Sequence, residues 1–536
     1  MTLASRVMQR VFHLPPPVTR AVRVHRRIAV TARDGVVLRT DHWEPRLRPA
    51  PTILVRSPYG RGGVIGLLSG RVLAERGFHV IVQSCRGTFD SGGEFEPMRH
   101  EREDGLDTVA WIERQPWFDG NLFTYGPSYL GFTQWAIAAE AGPALKGMLT
   151  SVTASAFRDP TYAGGAYSLD TILNWVTIVS NQGGSLLSFM YKQNRVQARL
   201  RRAWTHLPLS EVDGLVTGRE IRFFQEWLKH SNPGDPYWDQ RGNPDVAGVT
   251  APVCMVGGWY DIFLPWQLRD YATLRNAGAA PRLVIGPWTH ANPALLGASL
   301  REGLGWFRAA LNGGVASGVT VQIGGSGEWR ELPDWPPHAR TTPWFLRAGG
   351  GLGTVAPDAG TPDGFRYDPA DPTPSPGGPL LTNEAGRRDN RPVEARRDVL
   401  VYTSEPLDDD LEAIGPVSAL VYTRASTEFF DVFVRVCDVE PDGRSENICD
   451  GLVRVFPGMF PPDAAGVRPV EVELWPMGYV FRRGHRLRVQ LAGAAHPRYA
   501  RNTGTGEPLG TAARLRPVDL EVYRAPEHPS ALRLPA

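Results

Sequence analysis

Ser128 sits where a strand-like run gives way to a helix-like one, in LFTYGPSYLGFTQWAIAAE (122–140). A serine hydroxyl becomes a useful nucleophile when a base takes its proton and a third group holds that base. Where the serine sits on a strand-to-helix elbow, such partners are expected in the order Ser…Asp/Glu…His, each on a loop at the carboxyl end of a strand. Two apolar runs downstream of Ser128 end in the right residue types: CMVGGWYDIF carries Asp261 and LVIGPWTH carries His290. Each feature alone is ordinary. A glycine-flanked serine usually marks a turn, an aspartate after a strand usually caps a helix, and twelve histidines make a chance hit easy. Together, in that order and context, they predict acyl transfer through Ser128, Asp261 and His290. Two other glycine-flanked serines, Ser185 and Ser326, join no strand to a helix and are read as decoys.

The flanks of Ser128 depart from the G-x-S-x-G pattern. Gly126 supplies the small residue at −2, but +2 is Leu130 and the second glycine, Gly131, arrives one position late. A sharp elbow needs small neighbours because the helix starts against the strand. Leu130 must then be accommodated locally, with Gly131 relieving the packing. Acyl transfer also needs donors aimed at the developing oxyanion. The N–H of Tyr129, at a helix start, is the expected first donor. The loop RSPYGRGG (56–63) offers the Tyr59 hydroxyl as a second, although a tyrosine packed beside a proline turn reads equally well there.

The elements that must position these groups follow from hydrophobic period. RRIAVTARDGVVLRTDHWEP alternates about Asp34-Gly35 and predicts a β-hairpin. Short β-branched runs then alternate with helical segments, among them 67–76 and 104–115, which implies a parallel sheet covered on both faces. From 157 to 247 the pattern turns helical and aromatic, as expected for a cap inserted over the strand ends. Strand-like runs return up to about 315. Beyond that, proline, glycine and many short strand-like runs predict a β-sandwich. The expected organisation is an α/β-hydrolase fold in two parts (1–156 and 248–315), a helical cap (157–247) and a C-terminal β-domain (316–536).

Bulk composition excludes several function classes. Net charge is +2 over 536 residues, with no basic stripe to suggest nucleic acid. The four cysteines, Cys85, Cys254, Cys437 and Cys449, have neither C-x-x-C spacing nor neighbouring histidines, so neither a disulfide framework nor a zinc site is expected. No metal or organic cofactor is implied. No apolar run reaches membrane-spanning length and the first twenty residues hold no signal-like apolar core, so a cytoplasmic location and no membrane partner are expected. The oligomeric state stays open, a homodimer included.

Several blocks together resemble the CocE/NonD hydrolases, a group that includes cocaine esterase, α-amino acid ester hydrolases and X-prolyl dipeptidyl aminopeptidases: RSPYG, IVQSCRGTFDSGGEF, WIERQPWFDGNLFTYGPSYLG, GGWYDIF and IGPWTH. VRVCDVEPDGRSENICDGLVRV and HPRYARNTGTG extend the resemblance into the second half. It covers nearly the whole chain from about residue 28. In that group the elbow reads G-x-S-Y-x-G, so the late glycine is the group's own form. The resemblance implies that the β-domain is a jelly roll closing the site. It also implies Ser128 as nucleophile, His290 as base, Asp261 as its orienter, and an oxyanion hole from the Tyr59 hydroxyl and Tyr129 N–H. Trp175, Phe263 and Leu381 are the positions similar to the group's acyl pocket.

Two departures stand out. Ser84-Cys85 occupies a place where many relatives have an aspartate. The residues after Asp261, from Ile262 to Trp266, are apolar where α-amino acid ester hydrolases carry carboxylates that hold the substrate ammonium. A buried ammonium there would lack its counter-charge. An apolar or aromatic acyl ester is therefore the expected small-molecule substrate. The alternatives are an amidase, an X-prolyl dipeptidyl-peptidase or an acyltransferase using the same site; the peptidase would need an acidic anchor such as Glu211, Glu220 or Glu226. A non-catalytic binding protein, with the β-domain recognising a saccharide, has no need to keep five catalytic positions together.

Overall fold

The computed structural model describes residues 3–47, 49–180, 186–239 and 244–536, with side chains described for all of these except 3 and 186–195. The decoy Ser185 lies outside the described residues. A hairpin of β1 (Val22–Thr31) and β2 (Val37–Pro45) forms across Asp34-Gly35, as its alternation predicts. β3 (Thr52–Ser57), β4 (His79–Ser84), β5 (Leu122–Pro127), β6 (Leu145–Ser151), β7 (Val253–Tyr260) and β8 (Arg282–Thr289) follow. With β9 (Gly318–Gln322) and β10 (Trp329–Leu332) they form one ten-stranded sheet in the order β1-β2-β4-β3-β5-β6-β7-β8-β9-β10.

From β4 to β9 every pairing is parallel, and the antiparallel pairings lie at the two ends. The central strands are buried on both faces, which is why they read as continuous apolar runs instead of alternating ones. The sheet runs past the boundary expected at 315: β9 pairs with β8 and β10 turns back on β9, so the sheet ends at Leu332. VTVQIGG reads as an opening strand of the β-domain because nothing local distinguishes a strand added to one sheet from a strand that begins another.

Helices Glu101–Glu113, Tyr129–Ala138, Leu264–Asn276 and Pro293–Leu311 flank this sheet. Glu101, Glu103 and Asp104 place negative charge in the first turn of the first of these, and the Asn292 side chain accepts from the Ala294 N–H at the start of the last (2.8 Å). The helix expected over 67–76 is broken into Gly63–Ile65, a widened turn at Gly66–Arg71 and Val72–Ala74. Tertiary packing explains the irregularity: a Cβ on Gly70 would lie 2.4 Å from the Trp43 indole nitrogen, so the segment lies flat on that ring.

The cap contributes helices Leu169–Ser180, Leu186–Thr205, Val212–Thr217 and Arg222–Lys229. Its buried Leu173, Val176, Phe224 and Trp227 share one apolar core with Tyr129 and Phe132 of the helix after Ser128. The eleven-stranded sheet of the β-domain is antiparallel apart from the pairing of Gly351–Gly353 with Val399–Thr403. Its strand Arg468–Phe481 docks on the α/β sheet: Gly324 N–H donates to Gly478 O (2.8 Å) and Val480 N–H to Gly324 O (3.0 Å). Against the cap, Asp170 N–H donates to Pro497 O (3.0 Å) and Ala500 N–H to Tyr167 O (2.8 Å). Three units thus meet above the carboxyl ends of β5, β7 and β8.

Candidate functional site

Ser128 lies between β5 and the helix Tyr129–Ala138 with φ 56° and ψ −129°, a backbone conformation that costs a non-glycine residue about 1–3 kcal/mol. The residues beside it show how that cost is met. The Leu130 side chain lies across Gly126, where an added Cβ would come within 2.4 Å of Leu130 Cβ. A Cβ on Gly131 would meet the Thr153 methyl at 2.3 Å. The helix therefore presses on the sheet at two glycines, and the later one faces β6's continuation. Thr153 Oγ1 in turn donates to the Ser128 carbonyl (2.7 Å), and Ser128 N–H donates to Ser151 O (2.9 Å).

Asp261 follows β7 and His290 follows β8 directly. Asp261 is fully buried: its Oδ1 accepts the Phe263 N–H (2.8 Å), and its carbonyl accepts the indole N–H of Trp475 from the β-domain (3.0 Å). Its Oδ2 lies 2.6 Å from His290 Nδ1, and His290 Nε2 lies 3.0 Å from Ser128 Oγ. With the Nδ1 proton given to Asp261, Nε2 is the free acceptor for the serine proton. That arrangement can deprotonate Ser128 as its oxygen attacks a carbonyl.

Tyr59 follows β3, with its N–H on Ser57 Oγ (3.0 Å). Its hydroxyl accepts the Trp175 indole N–H (3.0 Å), and the residue lines one cavity with Ser128. Burial pushes the phenol up to about 12, so it remains a proton donor at neutral pH. The loop is anchored by Arg61, which donates to Asp41 (2.9 Å), Asp90 (2.9 Å) and Ser84 Oγ (3.1 Å). The Ser84-Cys85 departure acquires a local meaning here. Ser84 is an anchor for the Tyr59 loop, and Cys85 is a buried thiol beside Glu101, pushed well up by burial.

The Tyr129 N–H belongs to the first helical turn, where no intrahelical acceptor exists. Its side chain plays a different part. The phenol oxygen accepts the Met98 N–H (2.8 Å) and donates to Glu101 Oε1 (2.9 Å), while Glu101 forms a buried ion pair with Arg56 (2.9 Å). Breaking such a buried pair typically costs about 3–5 kcal/mol, so the network ties β3, the 101–113 helix and the elbow firmly together.

Above Ser128 is a cavity of about 300 Å³ lined by residues from all three units. Trp175, Phe263 and Leu381, the positions expected from resemblance, all line it. So do Ile262 and Trp266 of the apolar run after Asp261, and Phe157, Ile172, Trp475 and Arg498, which the sequence pattern does not single out. Among the described residues, no aspartate or glutamate lines it, and Glu211, Glu220 and Glu226 lie outside its lining. Glu226 pairs with Lys229 (3.0 Å), and Glu211 with His206 (2.8 Å). The charged Arg498 is pinned: it pairs with the buried Asp450, which also holds Arg435 (2.8 Å), and it lies 4.5 Å over the Trp475 ring. Burial alone would raise the Asp450 carboxyl, but Arg498 and Arg435 together hold it below the usual range. Among the described residues, no group of three or more His, Cys, Asp or Glu is placed to hold a metal ion.

Residues 34–292 match the X-Pro dipeptidyl-peptidase (S15 family) model, and residues 310–533 match the X-Pro dipeptidyl-peptidase C-terminal non-catalytic domain. The cocaine esterase of Rhodococcus sp. (strain MB1 Bresler) is 32% identical over 574 residues, covering 95% of this chain and 97% of that protein. The chain belongs to the S15 family of CocE/NonD-type hydrolases. A putative serine esterase of Mycobacterium bovis is 24% identical, covering 94% of each chain. Among solved structures, an aminopeptidase from a marine sediment Thaumarchaeota archaeon (22% identical, 97% and 98% covered) and an α-amino acid ester hydrolase (21%, 97% and 98%) both superpose with TM-score 0.78. These show the shared fold. The S15-type assembly of α/β-hydrolase domain, helical cap and C-terminal β-domain thus surrounds the Ser128 cavity in this hydrolase.

Proposed function

We propose that this S15-family hydrolase cleaves carboxylic esters of apolar or aromatic acids through a Ser128 acyl-enzyme. The observation that carries the reading is the Asp261–His290–Ser128 relay, with spacings of 2.6 and 3.0 Å, opening into an aromatic cavity with no carboxylate among its described lining residues. Ser128 Oγ attacks the ester carbonyl carbon while His290 Nε2 takes its proton. The carbonyl oxygen, now negative, is received by the Tyr59 hydroxyl and the Tyr129 N–H. As the tetrahedral species collapses, His290 returns the proton to the departing alcohol. Water then repeats the sequence on the acyl-serine and releases the acid.

The cavity supports the acyl class. It is about twice the ~150 Å³ apolar cavity that accommodates benzene, enough for an aromatic acyl group and part of its alcohol. A substrate ammonium would find no carboxylate among the described residues of its walls, which disfavours the peptidase and amino-ester readings. The test is a panel of p-nitrophenyl esters of graded acyl size set against aminoacyl- and X-prolyl-anilides. Benzoyl and short alkanoyl esters should turn over fastest; faster anilide turnover would overturn the ester assignment. A fluorophosphonate probe should label the native chain and not Ser128→Ala. Equal labelling of the two would remove Ser128 from the mechanism.

A further inference from the structure

Tyr59 has one hydroxyl proton, which stays near the ring plane and can turn to either of two opposite in-plane directions. What decides the side is the partner on the oxygen. Trp175 Nε1 lies 3.0 Å from that oxygen, and an indole N–H donates but never accepts. The Tyr59 proton cannot point toward Trp175 and is left for the cavity that Tyr59 and Ser128 both line. A donor on the phenol oxygen also polarises the O–H, strengthening what it can give to an oxyanion.

Trp175 is itself held still. Its ring lies parallel to Trp227 (5.9 Å, 1°) and nearly parallel to Tyr129 (6.0 Å, 17°), and packs on Phe223 (5.4 Å). It stands on the cap helix Leu169–Ser180, so one cap side chain touches both residues of the expected oxyanion hole: Tyr59 by hydrogen bond, Tyr129 by its ring. Lining an apolar pocket requires neither the N–H nor its direction.

We propose that Trp175 is a positioning residue for the oxyanion hole: its indole N–H fixes the Tyr59 proton toward the reacting carbonyl, so the cap contributes to transition-state stabilisation as well as enclosing the acyl group. The proposal rests on the serine-esterase reading above. Its consequence is that catalytic competence depends on cap docking, because the hole is complete when Trp175 is seated.

The experiment is a double-mutant cycle on the full chain with p-nitrophenyl benzoate. Tyr59→Phe should lower kcat by about 10²–10³-fold, the usual cost of one oxyanion donor. Trp175→Phe keeps an aromatic ring and removes the N–H; it should lower kcat about 10-fold with KM changed less than about two-fold, an effect acting through one preset hydrogen bond. The double variant should be no slower than Tyr59→Phe alone, because the N–H has nothing left to orient. Phenylboronic acid, whose tetrahedral adduct places an oxygen in the hole, should follow the same non-additive pattern in its Ki. If Trp175→Phe fails to fold, a 3-benzothienylalanine at 175, with sulfur in place of N–H and the ring shape kept, carries the same expectation. An equal loss from the Trp175 change with and without the Tyr59 hydroxyl, or a change in KM alone, overturns the proposal. Ser128→Ala separates the two readings: full activity there sinks the serine mechanism, whereas an inactive Ser128→Ala with an additive cycle sinks the Trp175 role alone.

Discussion

Asp261 is where a one-atom change should matter most. It is fully buried, held by the Phe263 N–H and the Trp475 indole N–H, and 2.6 Å from His290 Nδ1. Asp261→Asn preserves size and those supports, but its amide N–H₂ can face Nδ1 and drive the imidazole into the other tautomer. Nε2 would then carry a proton and could not take one from Ser128. The expected result is a kcat for benzoyl esters lower by about 10⁴-fold, with a comparable loss of fluorophosphonate labelling rate and an unchanged fold by circular dichroism. A drop below ten-fold would mean that the aspartate does not set the tautomer.

At this scale the sequence was informative where chemistry and chain order coincide. Ser128, Asp261 and His290 stand out by type, order and position at strand ends, and the structure brings them within hydrogen-bond reach. Trp475 and Arg498 did not stand out, because their link to the site is made across the fold; the Trp475–Asp261 bond spans 214 positions.

The elbow is an element-scale device, and its late glycine can be tested as one. Gly131→Ala places a methyl where Thr153 stands, 2.3 Å from its Cγ2. Thr153 is not free to yield, since its hydroxyl donates to the Ser128 carbonyl (2.7 Å). Overpacking of this kind costs about 1–3 kcal/mol, and here the strain is delivered to Ser128 itself. Gly131→Ala should lower the urea midpoint and kcat together, whereas alanine at Gly305, which has open space around it inside the helix Pro293–Leu311, should raise the midpoint by helix propensity and leave kcat unchanged. If Gly131→Ala is neutral in both, the late glycine is not a packing requirement. Elements with a strong period were legible: the hairpin, the strand–serine–helix unit and the aromatic cap helices. The broken helix after Tyr59 and the added strands β9 and β10 were not. Trp43 shapes the first and an existing sheet edge recruits the second, and both causes are tertiary.

Across the whole molecule, four buried titratable groups set opposing responses to acid. Burial raises Asp170 to about 7 and Asp270 to about 6, and lowers His42 to about 3 and His496 to about 4. For Asp170, burial outweighs the Leu381 N–H, the Asn174 side chain and the attraction of Arg498, all of which favour the charged form. Between about pH 4 and 7 the folded chain keeps a proton on Asp170 that the unfolded chain has released. That carboxyl therefore costs stability as pH rises through the window, at up to about 1.4 kcal/mol per pH unit. Asp270 acts with the same sign up to about pH 6. The histidines act the other way: below about pH 6.5 the unfolded chain takes up protons that the folded chain refuses, so they cost stability as pH falls. From about 6.5 down to about 4 the two pairs nearly cancel. Asp170→Asn removes one carboxyl from that balance while keeping an acceptor for the Asn174 side-chain N–H (3.0 Å) and leaving the main-chain bond to Pro497 O, which joins cap to β-domain. The variant should lose stability on acidification from pH 6.5 to 4.5 by about 3 kcal/mol more than the parent chain, from the same slope over two units. Urea unfolding at pH 4.5, 5.5 and 6.5 measures this directly. Parallel pH curves for the two proteins would show that Asp170 titrates alike in the folded and unfolded chain, and that the clasp between cap and β-domain carries no proton of its own.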